Sequence, residues 1–164
     1  LKLLRNKIKN HPRYPYHLLR EEMQEFILDK LQLLIERKLI KGIGENGTEY
    51  TVIAQILDLP KEILRLIQKF DFTKKNPKLI YINTGETMIS LQDSILVTFL
   101  NLAGFDILFF VPTGYQSVEN YFAEKLMEEH QIGEYKYDMQ VPDLNNISTN
   151  STRPSWRRKL FRRG

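Results

Sequence analysis

The chain has 164 residues, 42% of them apolar, which is enough for one core and an appendage; no apolar run nears the roughly 18 to 20 residues of a membrane helix. Cysteine is absent, which excludes disulfides, zinc ribbons and thiol nucleophiles and makes a reducing, cytoplasmic setting the expectation. The net charge of +4 is uneven: residues 145–164 hold six basic side chains and no acidic one, leaving 18 basic against 20 acidic elsewhere.

The chain starts at Leu1, in the middle of a pattern and with no signal segment, so a piece of a longer protein is expected. Residues 1–17 are basic, with Pro12 and Pro15, and read as a helix end followed by an extended connector. Apolar residues at Leu19, Met23, Phe26, Ile27, Leu31, Leu34 and Ile35 then follow helical spacing. They predict a helix over 18–41, with Glu21 and Glu22 at its start, Arg37, Lys38 and Lys41 near its end, and Gly42 as its stop. A helix of that length offers a seam for a homo-oligomer.

After the turn at 42–47, TEYTVIAQILDL and PKEILRLIQKF predict two short helices, with Pro60 opening the second. Ile53, Ile56, Leu57, Ile63, Leu66 and Ile67 would form the seam between them. Past TKKNP (73–77) the period changes. LIYIN and DILFFV (106–111) are short β-branched and aromatic runs of the kind found in parallel strands buried on both faces. Between them SLQDSILVTFLNLAG predicts a helix capped by Ser90 with Asp93 and stopped by Gly104. A further helix from Ser117 to about His130 and a short strand near Tyr137–Val141 are expected next. After Pro142 the chain becomes a polar linker and then a basic tail.

The fold class is therefore α/β: a partial Rossmann-like parallel sheet (β-α-β-α) preceded by a helical subdomain. The expected divisions are 1–76 helical, 77–142 α/β, and 143–164 linker and tail.

Parallel strands bring their carboxyl ends to one edge, where ligands of open α/β folds bind. Asn83-Thr84-Gly85 follows the first strand and Pro112-Thr113-Gly114 follows the second. Glycine lets backbone N–H groups approach a ligand, threonine adds a hydroxyl, and a helix start favours phosphate or carboxylate. The candidate ligand-binding residues are Asn83, Thr84, Gly85, Glu86, Thr87, Thr113, Gly114, Tyr115 and Gln116, facing a phosphorylated small molecule or nucleotide. Glu86 is the one candidate base. The competing reading is plain turn chemistry, because Thr and Gly also serve βα connections that bind nothing, and neither loop is a P-loop or GxGxxG.

Other chemistry has less behind it. Ser90, Ser94 and Ser117 lack the GxSxG setting of a nucleophile. His11, His17 and His130 are scattered, so no metal site is expected, and no cofactor is indicated. The helix pair resembles a DNA-reading helix-turn-helix, displaying Lys61, Glu62, Arg65, Gln68 and Lys69. Acidic Glu49, Asp58 and Glu62 argue against phosphate contacts there, so nucleic acid is not the favoured partner. The tail, with Trp156 and Phe161 among its basic residues, suits an anionic surface.

The string PKLIYINTGETMISLQDSILVTFLNLAGFDILFFVPTGYQSVENYF (77–122) resembles the C-terminal part of the YceG-like bacterial family, and the closing SWRRKLFRRG is similar to that family's C-terminus. The resemblance covers most of the chain and carries over no catalytic residue. It implies a cytoplasmic bacterial protein of a stress or toxic-anion (tellurite) response, encoded beside tellurite-resistance and TerD-type proteins as a component of a biosynthetic module. The alternative is a non-catalytic interaction or scaffold module.

Overall fold

Helix α2 (Glu21–Glu36) is the spine of the molecule. Its apolar residues recur on one face, and Ile27, Leu28, Leu31 and Leu34 are fully buried by it. The computed structural model describes residues 1–69, 75–85, 89–115 and 118–141. The other elements are α1 (Arg5–Lys9), α3 (Thr48–Ile56), α4 (Lys61–Gln68), β1 (Lys78–Ile82), α5 (Leu91–Leu102) and β2 (Asp106–Phe110). Helix α5 packs on both α2 and α3. One core therefore runs from Tyr14 and Tyr16 through α2 and α3 to Ile95, Phe99, Phe105 and Phe122.

The α2 helix is shorter than the predicted 18–41. It ends at Glu36, and Lys38 adopts φ +50. Lys38 N–H donates to Ile35 C=O and Leu39 N–H to Leu34 C=O, at 3.1 and 3.3 Å, which closes a Schellman turn one glycine early. Gly42, the expected stop, belongs to the following turn. There a Cβ would meet Thr48 Oγ1 at 2.5 Å.

The helix pair forms as α3 and α4. A side chain from far upstream holds its turn: Tyr16 Oη donates to Ile56 C=O at 2.5 Å and accepts from Leu59 N–H at 3.1 Å. The seam contains Ile56 and Ile67, but Leu66 faces solvent, 48% exposed.

Strands β1 and β2 pair in parallel, with Lys78 opposite Asp106 and Ile82 opposite Phe110. The chain is thus α/β, with two strands in the sheet among the described residues. The expectation of burial on both faces is corrected. Burial alternates along each strand, and Ile80, Ile82, Leu108 and Phe110 are 58, 39, 57 and 42% exposed. Helix α5, the crossover between the strands, covers one face; a run of apolar residues does not reveal that only one face is covered.

Two expected elements are absent among residues 118–141, the helix to about His130 and the strand near Tyr137–Val141. Tertiary pairing replaces the helix. Ile40 and Phe122 form an antiparallel bridge, Ala123 N–H donates to Leu39 C=O at 3.0 Å, and Lys41 N–H donates to Tyr121 C=O at 2.9 Å. Phe122 is buried by this contact, and Ala123 N–H is no longer available for an i→i−4 helical bond.

Candidate functional site

The parallel ladder places the two candidate loops side by side. Its last rung continues past β1, where Asn83 N–H donates to Phe110 C=O at 2.9 Å. Asn83-Thr84-Gly85 and Thr113-Gly114-Tyr115 therefore meet at the carboxyl edge of the sheet. Glu86, Thr87 and Gln116 lie outside the described residues.

Much of the polar chemistry of these loops is spent locally. Asn83 Oδ1 accepts from Gly85 N–H at 3.2 Å, and Thr113 Oγ1 accepts from Tyr115 N–H at 3.3 Å. Both are side-chain-closed turns that hold the loop backbone. Gly114 N–H donates to Val111 C=O at 3.0 Å, with φ at +66. Thr113 is buried, while Asn83, Thr84 and Gly85 are half-buried. Tyr115 is 48% exposed and is, among the described residues of the two loops, the side chain most open to a ligand.

A later segment lies along the second loop. Lys136 N–H donates to Pro112 C=O at 2.8 Å. A Cβ on Gly114 would sit 2.1 Å from Cε1 of Tyr135. Glycine is thus required here twice, for its positive φ and for the ring that lies against it. Sequence reasoning missed Tyr135 and Lys136, because they stand some twenty residues downstream in a stretch without periodicity.

The start of α5 carries the expected cap. Ser90 Oγ accepts from Asp93 N–H at 3.0 Å and donates to Asp93 Oδ2 at 2.7 Å. Asp93 therefore already places a carboxylate on the positive end of α5, which weakens that end as a seat for a second anion. Tyr81, stacked on Phe109 with ring centroids 5.3 Å apart, has its phenol pushed up, first by burial and then by Asp93.

Two hollows stand out elsewhere, of about 520 and 260 Å³. The first follows the run Lys125–His130; the second lies between α1 and the end of α3. Neither is lined by a residue of the sheet edge. Among the described residues, no group of three or more His, Asp or Glu is placed to hold a metal ion, and no helix is long and apolar enough to cross a membrane.

Residues 1–152 match the YceG domain family. The chain is also 31% identical over 93 residues to "Uncharacterized protein YceG" of Bacillus subtilis (strain 168). That alignment covers 55% of this chain and 17% of the relative, so the chain spans less than a fifth of that relative's length. No solved structure matches the chain. These matches correct the expected stress, tellurite-resistance and biosynthetic-module role: one is described as a YceG domain, the other as uncharacterised, and neither description carries any part of that role. The scaffold-module alternative gains nothing from them either.

Proposed function

The chain belongs to the YceG domain family, and on that premise we propose that it supplies the ligand-binding edge of a larger, Rossmann-like parallel sheet. The observation that carries this reading is the rung from Asn83 N–H to Phe110 C=O, which ties the start of the first loop to the end of β2, just ahead of the second loop, at the edge where open α/β sheets take ligands. Support for a larger sheet comes from its two-stranded extent among the described residues, which is marginal for an independent sheet, and from the greater length of the curated relative; the uncovered apolar face of β1 and β2 calls for a further layer over it.

The ligand in this reading is small and polar, met by Thr84, Tyr115 and the backbone around Gly85. Asp93 at the α5 start offsets the pull on a phosphate, so hydroxyl and amide groups contribute more to recognition than charge does. Glu86, the candidate base, lies outside the described residues, and the reading is one of binding.

Calorimetry on the 164-residue chain with nucleotides, nucleotide sugars and free sugars tests this directly. At least one class should bind, and Tyr115→Ala, at an exposed position, should weaken it about tenfold or more without changing Tm. The reading fails if nothing in the panel binds, or if Tyr115→Ala and Thr84→Ala both leave affinity unchanged.

A further inference from the structure

The two flanks of α1 differ in how their charge is met. On one, Arg5 pairs with Asp29 at 2.6 Å and with Glu25 at 3.3 Å, and Lys9 pairs with Glu25 at 2.8 Å and also with Glu21. On the other stand Lys7, His11 and Arg13, and among the described residues neither Lys7 nor Arg13 has a carboxylate partner. Cations left unpaired within a few residues of a helix whose other cations are matched hold a local positive potential open to an incoming anion.

These three side chains rim the 260 Å³ hollow, and its remaining lining is Leu4, Ile8, Tyr14 and Leu57. The floor is therefore apolar and the rim basic. His11 Nδ1 accepts from Arg13 N–H at 3.2 Å, which assigns the ring proton of neutral His11 to Nε2 and leaves that nitrogen as a donor. Tyr14 is buried, and burial pushes its phenol up, so it brings no negative charge to the floor at neutral pH. The volume lies just under the roughly 300 Å³ lower range of small-molecule pockets, which limits the occupant to a small one.

We propose that this hollow binds a small amphiphilic anion, a phosphate or carboxylate head on an apolar body. Lys7 and Arg13 hold the head, His11 donates to it, and Ile8, Tyr14 and Leu57 cover the body. Charge complementarity selects the head and the apolar floor selects the body, so neither a bare anion nor a neutral hydrocarbon satisfies the whole site.

Octyl phosphate, inorganic phosphate and octanol, titrated separately by calorimetry into the full chain, provide the test. Octyl phosphate should bind about tenfold or more tightly than either of the others. The double variant Lys7→Gln/Arg13→Gln should lose about tenfold in affinity at unchanged Tm, since both positions are exposed. Phosphatidylcholine vesicles containing phosphatidic acid separate the two sources of such a head. Sedimentation with them that the double variant abolishes assigns the site to a lipid; octyl phosphate binding without sedimentation assigns it to a free ligand. The proposal is overturned if octyl phosphate does not bind, if the double variant binds it equally well, or if inorganic phosphate binds as tightly.

Discussion

The hydroxyl of Tyr16 holds the turn between α3 and α4 by giving one hydrogen bond and taking another from segments some forty residues away. Removing it leaves a buried carbonyl and a buried N–H unmet, so Tyr16→Phe should cost about 1–3 kcal/mol in chemical denaturation. Its phenol is pushed up to about 12, first by burial. A raised folded-state value means the neutral form is favoured, so this stability is intact below the ordinary phenol value near ~10 and is lost as pH rises toward the folded one. Alkaline unfolding followed by circular dichroism should therefore begin at lower pH in wild type than in a Tyr16→Phe chain normalised to its own neutral-pH stability. Lys38 gives the opposite case. It sits at φ +50 in a position where glycine costs nothing, so Lys38→Gly should raise stability by about 0.5–1 kcal/mol, read as an increase in the denaturation midpoint.

Local signals and distant ones separate cleanly among the elements. Helix α5 was legible at both ends because its stops are local: Ser90 caps with Asp93, and Gly104, at φ +102, lets Phe105 N–H reach Leu100 C=O at 3.0 Å. The end of α2 was not legible, because a lysine took the place of glycine. The helix expected at 117–130 was misread because its apolar spacing is helical while the partner of Phe122 is Ile40, some eighty residues earlier. Helix α1 has only five residues and depends on others. Leu3 N–H donates to Gln32 Oε1 at 2.6 Å, and the Arg5 and Lys9 pairs fix it to α2. Lys9 holds the Glu25 carboxyl below its usual value, with Arg5 helping. The depressed value places that contribution above the ordinary carboxylate range and removes it as pH falls. Glu25→Gln, or acid, should speed amide exchange in residues 5–10 while leaving α2 unchanged; equal exchange in both would contradict the clamp.

For the whole molecule, the sheet has one covered and one open face. Ile80, Ile82, Leu108 and Phe110 form an apolar patch that parallel sheets normally bury. The chain alone should bind an apolar fluorophore such as anilinonaphthalene sulfonate there, and Leu108→Lys should reduce that signal without lowering Tm. The ligand edge was legible in the sequence to the extent that topology alone creates it: two parallel strands necessarily share a carboxyl edge, and both loop motifs stand on it. The contact of Tyr135 with Gly114 was not legible, because nothing local in residues 131–141 marks it. The most direct measurement of the central claim is backbone amide NMR of the isotope-labelled chain during titration with whichever of the nucleotides, nucleotide sugars and free sugars binds most tightly. Shifts concentrated at residues 83–85 and 113–115, lost in Tyr115→Ala, are the predicted result. Shifts confined to Lys7, His11 and Arg13, or spread with no maximum at the sheet edge, would contradict it.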